Sequence, residues 1–183
     1  MKGKVETTDI RPIVVKADGT VTTTEYTSEE ETFFQGWQAT TRATEKDKAE
    51  SRRVGRAIRA AVKQCWFNAR KVVLKLEDYA DASYIEGWVV DLDGGSMMEH
   101  GWVMRNGKVI DPTLPDRDFA YFAGLEFKGR KGIQEFLNTP LGKKHKNDPF
   151  FFAFDWGGYK SPGYMKAYHD AMEYQKRFIK PRP

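Results

Sequence analysis

Three residues of this 183-residue chain have the types that covalent amide chemistry needs: Cys65, His100 and Asp111. Cys65 is the only cysteine. The thiolate is the nucleophilic form, and an ordinary thiol, with a pKa near ~8.5, is mostly protonated at neutral pH. A helix amino terminus or a neighbouring imidazolium favours the thiolate, and the imidazole needs a third group to orient it. The other two histidines fit less well: His145 lies in the basic stretch GKKHKND, where a raised proton affinity is not expected, and His169 lies in a predicted helix with only Asp170 beside it.

The elements around His100 supply that partner. Asn106-Gly107 is a strong two-residue hairpin turn between predicted strands 100–104 and 108–111. The turn pairs Arg105 with Lys108, Met104 with Val109, Val103 with Ile110 and Trp102 with Asp111. Alternation then puts His100 on one face with Trp102, Met104 and Asp111. His100 and Asp111 become diagonal neighbours, with β-carbons roughly 5–8 Å apart, so the carboxylate can take the ring N–H. A one-residue bulge would flip the face and break the pairing. The competing role for Asp111 is that of a turn carboxylate before Pro112.

Elsewhere, 13–15 and 21–26 read as a hairpin around Asp18-Gly19, and Ser28 with Glu31 forms a capping box that opens a helix carrying Phe33, Phe34 and Trp37. Residues 38–44 read as a loop. A helix fits 45–62, with Val54, Ala57, Ile58, Ala61 and Val62 on one side and Arg52, Arg56, Arg59 and Lys63 on another. Another helix runs from Cys65 with Ala69, Val72, Val73 and Leu76 in step. A strand at 84–90 and helices at 131–137 and 164–179 complete the pattern. The whole reads as a single α+β domain: an N-terminal hairpin and helix (1–44), a core (45–137) and a C-terminal extension (138–183).

Composition narrows the function classes. The net charge of +4 is the remainder of larger blocks: −3 over 1–41, +7 over 42–71, −7 over 72–126 and +7 over 127–183. The basic blocks allow a nucleic-acid partner, but the acidic middle weakens that reading. The longest purely apolar runs have five residues, too few to span a membrane. The amino end, MKGKVETTDIRP, has no apolar signal region, so the expected compartment is the reducing cytoplasm. No H-x-x-x-H or H-E-x-x-H spacing and no phosphate-loop motif occurs, so no metal or cofactor is expected.

Four short elements occur in order: Cys65-Trp66-Phe67-Asn68-Ala69, Tyr84-Ile85-Glu86-Gly87-Trp88, Glu99-His100-Gly101-Trp102 and Val109-Ile110-Asp111-Pro112-Thr113. This string resembles the papain-like cysteine enzymes, most closely their transglutaminase-like branch, including a group of small bacterial and phage proteins. Residues 121–127 look like a further segment of that group. The resemblance covers about residues 64 to 137. It implies a papain-like/transglutaminase-like core, with a nucleophile helix packed on an antiparallel sheet and helical elaborations at both ends. It also implies Cys65 as nucleophile, His100 as general base and then acid, and Asp111 as orienter. The backbone N–H of Cys65 would serve the oxyanion, with Gln64 or Asn68 as the second donor. Glu86 and Trp102 are the substrate-facing candidates, with a structural or core role as the alternative for each.

The resemblance requires Cys65 at a helix start. The apolar periodicity instead lets one helix run from Glu45 through Leu76, with neither Pro nor Gly between Val62 and Cys65. The catalytic reading therefore predicts a break near Lys63-Gln64. Its function is hydrolysis of an amide in a protein or peptide, as a protease, isopeptidase, amidase or deamidase, or acyl transfer if an amine resolves the intermediate. The alternative is a non-catalytic binding protein whose basic residues Arg52, Arg56, Arg59 and Lys63 engage nucleic acid or an acidic protein.

Overall fold

The computed structural model describes residues 45–154 and 161–178 in full, and the backbone alone at 13–15, 21–23 and 42–43. The chain divides into two compact units, Met1–Gly36 and Trp37–Pro183, where the sequence suggested one domain. In the first unit, β1 (Ile13–Val15) pairs antiparallel with β2 (Val21–Thr23), the expected hairpin. The Asp18-Gly19 turn and the helix expected from Ser28 lie outside the described residues.

In the second unit β-branched and aromatic residues build a five-stranded antiparallel sheet. Its strands are β3 (Arg42–Ala43), β4 (Ser83–Asp91), β5 (Met97–Arg105), β6 (Lys108–Ile110) and β7 (Phe119–Lys128), in the order β3-β7-β4-β5-β6. The β5–β6 register is the one the Asn106-Gly107 turn dictates: Arg105 faces Lys108, Met104 faces Val109 and Val103 faces Ile110. Asn106 and Gly107 have φ of 51° and 75°, as a tight hairpin turn demands. The ladder ends at Ile110, so Asp111 enters the turn that follows instead of pairing with Trp102.

Strand β7 lies beside β4 and was not predicted from the sequence, nor was β3, which falls in the expected loop 38–44. Both faces of β7 are covered, so polar alternation is missing. Ile85, Val89, Trp102, Val109, Phe119 and Tyr121 form the core on one face. Val90, Ala120 and Phe122 pack on the other face against Ala167 and Ala171. The β4–β7 register shifts between Glu86 and Gly87, leaving Gly124 without a partner. A β-carbon on Gly124 would sit 2.8 Å from Tyr164 Cα, so only glycine admits the last helix there.

Five α-helices complete the described unit: α1 (Lys48–Ala57), α2 (Cys65–Lys75), α3 (Gly129–Asn138), α4 (Pro140–Lys144) and α5 (Pro162–Gln175). Helix α1 ends before Ile58 instead of reaching Val62, which is 85% exposed. The described part of the expected extension 138–183 packs into the core: Phe150, Phe151 and Phe154 are buried, and Phe150 packs against Tyr84, Phe127 and Phe136. None of the described helices is long and apolar enough to cross a membrane.

Candidate active site

Helix α2 starts at Cys65, where the catalytic reading placed it and the periodicity did not. Two residues in the left-handed region, Arg59 (φ 52°) and Lys63 (φ 62°), carry the chain through the break. Asn68 fastens this loop. Its Oδ1 accepts from Ala61 N–H at 3.0 Å, and its Nδ2 donates to Ala61 C=O at 2.7 Å and to Thr113 Oγ1 at 2.9 Å. Lys71 Nζ adds a bond to the Ile58 carbonyl at 2.6 Å. Those contacts offset the strain of two non-glycine left-handed residues, of order ~1–3 kcal/mol each.

The start of α2 lies against β5 at Gly101, where a β-carbon would come within 2.8 Å of Trp66 Cα and 3.1 Å of Trp66 N. Strand β6 pairs only with Val103–Arg105, so β5 is unpaired by β6 at His100 and Gly101. Cys65, at the start of α2, is one of the groups whose side chain favours the protonated His100 ring.

His100 Nε2 donates to Asp111 Oδ2 at 2.9 Å, with both side chains buried. Nε2 being occupied, Nδ1 is the nitrogen left for Cys65. His100 stacks at 16° on Trp102, its neighbour on the same strand face. Asp111 divides its two oxygens between its two expected roles. Oδ1 caps the turn, accepting from Thr113 N–H at 3.1 Å and Leu114 N–H at 3.0 Å. Oδ2 faces His100 and also accepts from Tyr121 Oη–H at 3.0 Å. The Asp111 N–H donates to Ser51 Oγ at 2.9 Å, so α1 braces the turn.

Burial alone would lower the basicity of His100. The charge of Asp111 and its hydrogen bond outweigh burial, Cys65 adds to them, and the imidazolium is held up to about 9. For Asp111, burial is likewise outweighed by His100 and then Lys46, and its carboxyl lies well below the usual range. A raised histidine stabilises the fold fully below its free value of 6.5, and that stability is lost as pH rises through about 9. A depressed aspartate stabilises the fold above its free value of 3.8, and that stability is lost as pH falls through its folded value. The contribution of this pair should therefore plateau between about pH 4 and 6.5 and then fall by on the order of 3 kcal/mol toward pH 10. Urea midpoints measured across pH check this, and Asp111→Asn should flatten the alkaline limb.

Other candidates are placed differently. Asn68 is 3% exposed and its amide is committed to Ala61 and Thr113, which removes it as an oxyanion donor. Gln64 is the exposed residue preceding α2, and its side chain makes no capping bond. Glu86 and Trp102 are fully buried and face the interior instead of substrate. Glu86 accepts from Phe150 N–H and Phe151 N–H, each at 2.7 Å, and from the Tyr84 hydroxyl. Trp102 belongs to the core beside Tyr121. The basic set does not form one helical stripe. Arg52 is paired with Asp116 at 2.5 Å, Arg56 is exposed on α1, and Arg59 and Lys63 lie in the loop beyond it.

Lys46, Ser51 and Tyr121 surround Asp111 and went unnoticed in the sequence. Each lies far along the chain from Asp111 or in the unpredicted β7, and no spacing rule links them. Among the described residues, no group of three or more His, Cys, Asp or Glu side chains is arranged to hold a metal ion. A depression of about 290 Å³ lined by Ser83, Met104, Arg105 and Glu126 contains none of the three candidate catalytic residues.

Comparison of the chain with protein-family models, with curated proteins and with solved structures finds no match.

Proposed function

We propose that this chain is a transglutaminase-like cysteine hydrolase that cleaves an amide bond through Cys65, His100 and Asp111. One observation carries the reading: a buried imidazole hydrogen-bonded to Asp111 at 2.9 Å also interacts electrostatically with the side chain of a helix-starting cysteine. Asp111 fixes the ring and compensates the imidazolium. The thiolate attacks the carbonyl carbon, and the Cys65 N–H, with the other unpaired N–H groups of the first turn of α2, stabilises the oxyanion. The C–N bond then breaks, and His100 gives its proton to the leaving amine. His100 next takes a proton from water, which attacks the thioester and releases the acid and the thiolate. An amine in place of water makes the enzyme a transferase. Gln64, beside the nucleophile, is the candidate second oxyanion donor.

The test is a peptide-amide library incubated with the full chain and read by mass spectrometry. Products, and an acyl adduct on Cys65 that disappears in Cys65→Ala, are expected. Products formed equally by Cys65→Ala would contradict the reading.

A further inference from the structure

Asp111 has a second buried cation beside it. Lys46 Nζ lies 3.6 Å from Oδ2, the oxygen that His100 approaches to 2.9 Å, and the two salt-bridge side chains are 6% and 0% exposed. Lys46 is strapped to β6 next to the site. Its backbone bridges Val109, with Val109 N–H donating to Glu45 C=O at 2.8 Å and Asp47 N–H donating to Val109 C=O at 3.0 Å. The ammonium donates to the carbonyls of Leu114 at 2.5 Å and Arg117 at 2.8 Å and lies over the Phe119 and Tyr121 rings.

A lysine that only tied down the 114–117 turn could keep its charge in water, as the exposed Lys48 does with Asp118. Burying a cation is costly, and the carboxylate it faces is the one that holds the histidine. We propose that Lys46 is a positioning residue of the triad: its ammonium shares the Asp111 carboxylate with His100 and limits how tightly that carboxylate holds the imidazolium proton. This rests on the catalytic reading of Cys65, His100 and Asp111.

The charged and titratable groups around it are Asp111 after β6, His100 on β5, Tyr121 on β7, Asp118 and Arg117 before β7, and Lys48 on α1. Burial lowers the proton affinity of Lys46, and Asp111 opposes that. Removing the ammonium makes each proton loss at the site harder. At a separation of a few ångströms and an effective dielectric near ~20, the shift is about one pH unit or more.

The experiment is the rate of Cys65 alkylation by iodoacetamide against pH, using full chains whose folding is checked by circular dichroism. Lys46→Met keeps the apolar stem over the two rings. Lys46→Gln, also uncharged, serves if the methionine variant does not fold. Both should move the inflections of the profile to higher pH by about one unit, while Lys46→Arg leaves them in place. Neutral variants that superimpose on the parent, or an arginine variant that shifts as far as methionine, would overturn the proposal. A parent profile that His100→Ala leaves unchanged would overturn the triad itself, and this role of Lys46 with it.

Discussion

Glu86→Ala is expected to lower the free energy of unfolding by about 4 kcal/mol. The carboxylate is buried and answers three donors: the N–H groups of Phe150 and Phe151 and the Tyr84 hydroxyl. Burial raises the carboxyl, and those donors, with Arg70, oppose the rise. Alanine leaves all three donors without an acceptor in a site that water does not reach. Each such group costs about 1–3 kcal/mol. Glu86→Gln retains one acceptor oxygen but turns an amide N–H₂ toward a backbone donor, so about half the loss should remain. Urea unfolding of the two variants measures the difference. The loss should be concentrated where Glu86 acts, so limited proteolysis should cut Glu86→Ala first within 149–154. Equal stability of Glu86→Ala and the parent would show that the carboxylate does not hold that segment.

His100→Ala is expected to slow alkylation of Cys65 by about 10²-fold at pH 6. Only about 0.3% of an ordinary thiol is ionised there, so pairing with an imidazolium has room for an effect of that size. Asp111→Asn should act in the same direction, because it removes the charge that holds the imidazolium up to about 9. Its effect should be smaller, since the amide oxygen can still accept from the ring. Competition from packing is small: His100 touches Trp102, Phe119 and Tyr121 through ring contacts of 6.1–6.4 Å, which alanine loses at a cost to stability and not to thiol chemistry. Matching circular dichroism of parent and variant separates the two effects. Equal rates in parent and His100→Ala would contradict the pairing.

The part of this site that local rules govern was legible in advance. Asn106-Gly107 sets the hairpin register, and that register puts His100 on the face of Trp102 and within reach of Asp111. The helices expected at 131–137 and 164–179 also followed from local pattern, and they stand at Gly129–Asn138 and Pro162–Gln175, the second capped by the Ser161 side chain. The break before Cys65 was not legible from periodicity. It depends on Asn68 reaching back to Ala61 and on left-handed residues that are neither Gly nor Asn. Strand β7 escaped because both its faces are covered, and a buried strand carries no alternation. The interior role of Glu86 depends on donors 64 and 65 residues away, which no motif encodes.

The most direct test of the central claim is the ultraviolet absorbance of the Cys65 thiolate, titrated in the parent and in His100→Ala, with Cys65→Ser as the blank. The account predicts thiolate absorbance in the parent below pH 7 that His100→Ala abolishes there. Absorbance that rises only near the ordinary thiol value of ~8.5 in both proteins would contradict a Cys65–His100 pair.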